Sequence, residues 1–259
     1  MELKLVTNTA RSAVLELTES GKFYTELQYD IYVNGEKYME SNKVITSLFD
    51  LKPDTDYNVY AVYNGQKTNE VNIHTKYEFV TLNVRDFGAL GDGVHDDTNA
   101  IQCAIMACPK DSRVLVPEGE YKVSSVFLKS DLTLELAKGA VLSAFTERDK
   151  FPILPGVIES YDEKEEYNLG SWEGNPLDCF SAILCGINAE NVVITGEGTI
   201  DGNTTFENWW NNCKIRNTAW RPRLFFINHC NNIMMHGITV QNSPSWTIHP
   251  YFSNHLKFI

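Results

Sequence analysis

At 259 residues, 43% of them hydrophobic, the chain can bury a sizeable core, yet no apolar run approaches the ~20 residues needed to span a bilayer. Its net charge is −12, and neither a membrane nor a nucleic-acid partner is expected. Residues Met1 to Asn8 lack a basic stretch followed by an apolar one, so no secretory signal is read, and the compartment stays open between cytoplasm and secretion with a removed signal. The six cysteines, at positions 103, 108, 179, 185, 213 and 230, show neither CxxC nor Cys/His zinc spacing. Mostly buried thiols are expected, with no metal and no cofactor.

Residues 1–76 alternate polar and apolar side chains in short runs, interrupted by Asn34-Gly35 and Asn64-Gly65, dipeptides suited to hairpin turns that need positive φ. An all-β sandwich is predicted. The run Leu51-Lys52-Pro53-Asp54-Thr55-Asp56-Tyr57 leads into Val59, Ala61 and Tyr63 on one face. It resembles the corner of a fibronectin type III domain, where a Tyr hydroxyl ties back to the backbone. No Trp precedes Trp172, so a variant of that fold is implied. Residues 75–78 form a short join to the second domain, 80–259.

In the second domain, Asp96 and Asp97 precede a stretch with Ile101, Ala104, Ile105 and Cys108 at helical spacing, followed by Pro109. The acid pair is read as a helix N-cap in preference to a catalytic or calcium-binding pair. Beyond the helix, a polar turn followed by alternating apolar residues recurs. It appears at Leu132 and Leu134, at Val192 and Ile194, at Ile233 and Met235, and at Leu256 and Phe258. The last two turns, beginning at Cys230 and Ser253, are 23 residues apart. Repetition of this kind predicts a parallel β-helix, with the helix covering its first coil. A final strand without a partner is expected to be prone to edge-to-edge self-association.

Charge is unevenly spread. Residues 147–178 hold nine acids against three bases, a balance of −6, whereas 202–259 hold Glu207 against Lys214, Arg216, Arg221, Arg223 and Lys257, a balance of +4. The basic end suggests an anionic ligand held locally, with chance clustering of solvated charge as the alternative. The 146–178 insertion reads either as a lid or end-wall or as a solvated acidic loop.

Several segments carry a specific resemblance: Asp86-Phe87-Gly88-Ala89 through Gln102; Leu128 to Leu136 with Gly139-Ala140; and Gly196-Glu197-Gly198-Thr199-Ile200-Asp201-Gly202 through Trp209-Trp210. Arg221-Pro222-Arg223 through Cys230 and Asn242-Ser243-Pro244-Ser245-Trp246-Thr247-Ile248-His249-Pro250 complete the set. Together they resemble the polygalacturonases of glycoside hydrolase family 28, and the fibronectin-like fusion is similar to bacterial members that act from chain ends. The resemblance implies a right-handed parallel β-helix and inverting hydrolysis of α-1,4-galacturonide bonds in polygalacturonate or oligogalacturonides. The family's catalytic Asn-Thr-Asp and Gly-His-Gly motifs are absent, as is any Arg-Ile-Lys, and the only Asp-Asp is Asp96-Asp97. No residue is therefore assigned a catalytic role, and the missing motifs are expected on coils after residue 259. Ser171-Trp172-Glu173-Gly174 resembles an Arg-Trp-Glu-Gly of bacterial members, and Ser171 in place of Arg puts a carboxylate contact there in doubt.

A uronic acid polymer needs cations for its carboxylates and aromatic faces for its rings. Trp246, His249, Arg221 and Arg223 are the candidates. Structural packing is the alternative for the first two, and surface or inter-coil ion pairing for the arginines. Two other functions stay open: a protein that binds pectin fragments without cleaving them, and a β-helix lyase. Residues 202–259 lack the acid cluster that a calcium-dependent lyase would need.

Overall fold

The computed structural model describes residues 1–18, 23–157 and 168–259. They divide into two compact units, Met1–Phe79 and Val80–Phe258, a few residues past the expected boundary at 76.

The first unit consists of two antiparallel sheets. Leu3–Asn8, Ala13–Leu17 and Ile45–Leu48 form one, and Glu36–Lys43, Tyr24–Val33, Asp56–Tyr63, Gln66–Lys67 and Val71–His74 form the other. Asn34 and Gly35, at φ 52° and 84°, and Asn64 and Gly65, at 49° and 74°, make the two hairpin tips. Positive φ at both central residues matches the twist of the flanking strands, which explains the Asn-Gly pairs. Leu15, Leu17 and Leu48 from one sheet meet Ile31, Val59, Ala61 and Ile73 from the other in a buried core. The Lys52 backbone N–H donates to the Tyr57 hydroxyl at 2.8 Å, the corner tie expected from the sequence.

The second unit is a stack of coils with three parallel sheets. Thr81–Asn83, Arg113–Val116, Leu132–Leu136, Glu190–Gly196, Asn231–His236 and Asn254–Phe258 line up in the first. Asp92–Asp96, Gly119–Val123, Ala140–Ala144, Thr199–Asp201 and Thr239–Gln241 form the second, and Val126–Leu128, Leu184–Ile187, Phe225–Asn228 and Ile248–Tyr251 the third. Leu132, Val192, Ile233 and Leu256 stand in register, as do Leu134, Ile194, Met235 and Phe258. The first three of each row are buried; Leu256 is half-buried and Phe258 is 38% exposed, because their strand is the outermost of its sheet. Replacing Leu134 or Ile194 by Ala is expected to cost about 2–5 kcal/mol in urea denaturation, since a stacked row cannot collapse into the void. A cost near zero would mean that these positions do not form the core.

The turn before the first sheet explains the recurring Asn. Asp131, Asn191, Asn232 and His255 all adopt φ between 52° and 57°, a left-handed conformation in which Asn and Asp are tolerated better than most residues. Their side chains also join successive coils. Asn191 Nδ2 donates to Asp131 Oδ1 at 3.0 Å, and Asn232 Nδ2 to Asn191 Oδ1 at 2.8 Å.

Helix Thr98–Ala107 buries Ile101, Ala104 and Ile105 against the first coils, as the spacing predicts. Of the acid pair, Asp97 departs from the expected cap while Asp96 meets it. Asp97 makes no side-chain bond to the helix; its buried carboxylate instead accepts from the Leu90 and Gly91 N–H groups, at 2.6 and 3.0 Å. Asp96 Oδ1 accepts from Thr98 N at 3.1 Å. Alanine at Asp97 strands two donors and is expected to cost about 1–3 kcal/mol, more than alanine at exposed Asp96. Equal losses at the two positions in thermal unfolding would contradict this assignment.

After the first coil, where the helix stands in place of a third-sheet strand, the coils enter the sheets in the same order, and the chain leaves the stack mainly at one corner, between a strand of the second sheet and the next strand of the third. The excursions are residues 145–183, 202–224 and 242–247. Of the 146–178 insertion, read from sequence as a lid or end-wall or as a solvated acidic loop, residues 158–167, which include Glu159, Asp162, Glu163, Glu165 and Glu166, lie outside the described residues.

Candidate functional site

Because these excursions start from coils that stack directly on one another, residues far apart in sequence meet at their bases. Trp172 comes from the first, Trp210, Trp220, Arg221 and Arg223 from the second, and Trp246 from the third, with His249 on the strand that follows. Trp172 is the hub. It stacks on Trp220 at 4.7 Å and on Trp246 at 5.8 Å between ring centroids.

Both guanidinium groups lie among these rings. Arg221 sits 4.3 Å from the Trp210 centroid and 5.3 Å from that of Trp172, and Arg223 sits 5.3 Å from Trp172 and 5.1 Å from Trp246. Such contacts place positive charge over the negative ring faces. Arg221 is 9% exposed and Arg223 2%. Each donates to one backbone carbonyl, Arg221 Nη1 to Pro244 O and Arg223 Nη2 to Ser171 O, while the buried Nε of each has no hydrogen-bond partner among the described residues. The inter-coil ion pairs considered from sequence do not form: none of the ion pairs among the described residues includes either guanidinium. Ser171 still serves the site, since its backbone carbonyl holds Arg223 without needing an arginine at that position.

Trp246 is 43% exposed and His249 half-buried, so both are reachable from solvent. Their rings meet edge to face at 4.8 Å, and His249 also faces Phe226 at 5.3 Å. Burial, with the Arg223 charge acting in the same direction, pushes the His249 pKa down to about 4, so its ring is neutral near pH 7. Its Nδ1 is buried without a partner. The site therefore combines permanent positive charge, indole faces and a neutral imidazole, a set suited to an anionic ring compound with an apolar face.

Comparison with known proteins supports the same direction. Residues 81–140 match the family model described as rhamnogalacturonase A/epimerase, pectate lyase-like. A Vitis vinifera protein named "Probable polygalacturonase" is 31% identical over 180 residues, 66% of this chain and 34% of that protein. The exo-poly-alpha-D-galacturonosidase of Dickeya chrysanthemi is 36% identical over 165 residues, 59% of this chain and 25% of its own. The chain is a relative of the polygalacturonases.

This polygalacturonase relative spans about a third of the first of those curated proteins and a quarter of the second. Its fold matches the family 28 exopolygalacturonase of Yersinia enterocolitica with a TM-score of 0.64 at 21% identity, covering 99% of this chain and 58% of the other. All four predicted site residues come together, but Trp172, Trp210 and Trp220, which hold them, were not predicted for the site. The signal was present: every Trp in the sequence lies between positions 172 and 246, and all five fall in the corner excursions.

Proposed function

We propose that this chain carries substrate-binding coils of an exo-acting polygalacturonase, which hydrolyses α-1,4-galacturonide bonds of pectin with inversion. The observation that carries the reading is the pair of buried guanidiniums, held between indole faces with no carboxylate paired to them. A galacturonate carboxylate would complete each fork with charge-assisted hydrogen bonds, while Trp246 offers its exposed face to the sugar ring. His249 would contribute a neutral ring nitrogen to a hydroxyl. Inversion requires an acid and a base separated by roughly 6.5–9.5 Å around the scissile bond. Residues 202–259 contain no Asp. Binding is therefore the role assigned to these coils, and a pectin-fragment-binding protein remains the second reading. We also propose a fibronectin type III domain for residues 1–76, supported by the Tyr57 tie and the two-sheet antiparallel arrangement.

The test is calorimetric titration with oligogalacturonates and with their methyl esters, alongside assays of reducing-sugar release by the 259-residue protein and by a version extended with any further coils its gene encodes. Binding that esterification abolishes, without turnover by the shorter protein and with turnover by the longer, is the expected result. Equal binding of acid and ester would overturn the proposed site. An unsaturated product would replace hydrolysis by a lyase reaction.

A further inference from the structure

A second pocket adjoins the arginine-tryptophan cluster. Its volume is about 550 Å³, within the roughly 300–1,000 Å³ common for small-molecule sites, and Arg148, Glu207, Asn211, Asn212, Arg216 and Asn217 are among its lining residues. Consecutive tryptophans connect the two places: Arg148 lies 4.5 Å from the Trp209 ring centroid, and Arg221 lies 4.3 Å from that of Trp210. The two places are also electrostatically linked. Burial lowers the Arg221 pKa, and the charge of Arg148 lowers it further.

The lining is chemically particular. Arg216 is committed, donating to Asp178 at 3.1 Å and to the Thr218 carbonyl. Arg148 is half-buried and has no carboxylate or hydrogen-bond partner among the described residues, and burial lowers its pKa. The side-chain amides of Asn211, Asn212 and Asn217 likewise make no hydrogen bond among the described residues, and they offer donors and acceptors to sugar hydroxyls. Glu207 can accept from hydroxyls, and Arg148 is the pocket guanidinium that no carboxylate among the described residues engages.

We infer that this pocket is a separate subsite, in which Arg148 binds the carboxylate of a second uronate unit on the same oligosaccharide while the Asn amides bind its hydroxyls. The inference rests on the proposed reading of the neighbouring site as a galacturonate site. Ligands long enough to reach both places gain a second charge-assisted contact, whereas a single sugar gains nothing from it.

The experiment is calorimetric titration of the 259-residue protein with mono-, di- and trigalacturonate, in the wild type and in Arg148→Gln and Arg148→Lys. Wild-type affinity is expected to rise with length. Arg148→Gln should remove about tenfold of that rise, the loss of one charge-assisted hydrogen-bonded contact, and leave monogalacturonate binding unchanged. Arg148→Lys keeps a charge over Trp209, and with it the fold, and should retain part of the rise. An undiminished rise in Arg148→Gln overturns the subsite and leaves the first site standing. Equal weakening at every length places Arg148 in the first site and also overturns a separate subsite. If the wild type binds no uronate of any length, both readings fall.

Discussion

Replacing Arg223 by Met is expected to weaken oligogalacturonate binding by about 10- to 150-fold, the equivalent of roughly 1.5–3 kcal/mol for a charge-assisted contact, while leaving the protein at least as stable as before. Few single changes separate the two properties so sharply. Arg223 is 2% exposed, and its charge is offset by the Ser171 carbonyl, the Cys179 thiol and the faces of Trp172, Trp246 and Phe226, with no carboxylate among the described residues. Taking a guanidinium out of water costs several kcal/mol, of which a desolvated cation–π contact returns about 2. Methionine fills similar space, tolerates aromatic neighbours and removes that desolvation cost. The same argument applies more weakly to Arg221, which is less buried and lies against Trp210 as well as Trp172. Calorimetric binding and thermal unfolding of the same samples decide the matter. A variant that binds normally, or one that loses binding only because its melting temperature collapses, would show that Arg223 serves packing alone.

Acid is expected to destabilise the β-helix through His236 at pH values where most carboxylates are still ionised. His236 is fully buried, paired with the Thr195 hydroxyl at 2.7 Å, and burial pushes its pKa from 6.5 down to about 4. The folded-state value lies below the unfolded one, so between about pH 6.5 and 4 the unfolded chain binds the proton and the folded chain does not. The stabilisation is thus complete above the unfolded value and declines as pH falls through this window. At 1.36 kcal/mol per unit, the loss by pH 4 is about 3 kcal/mol. His249, also lowered to about 4, acts in the same sense, and its partial exposure makes its share smaller. Unfolding free energies from urea titrations at pH 7 and pH 4 should differ by this amount in the wild type, and by much less in His236→Asn. A variant with the same pH slope as the wild type would assign the acid sensitivity to other groups.

Much of the architecture was legible because it depends on local chemistry repeated along the chain. Asn34-Gly35 and Asn64-Gly65 mark hairpins because few other pairs accept positive φ twice in succession. Leu132 with Leu134, Val192 with Ile194, and Ile233 with Met235 mark coils because strand alternation sends both members of each pair inward. The four site candidates were legible as residue types, since a polyanionic sugar calls for cations and aromatic faces. Asp97 was misread because a carboxylate beside a helix start has several N–H groups in reach, and its choice of Leu90 and Gly91 depends on how the loop folds back.

The sequence by itself determined the repeat, the inward rows, the turn residues and the kinds of side chain a site would use, because each follows from backbone geometry or composition within a few residues. Only the tertiary structure decided that Trp172, Trp210 and Trp246 lie against Arg221 and Arg223, with Trp220 stacked on Trp172, and that Arg148 lies against the adjacent Trp209. Those contacts arise from coil stacking, which brings the bases of three excursions of unequal length to one corner. No local periodicity encodes how residues separated by an irregular loop will come together when its ends are fixed by neighbouring strands.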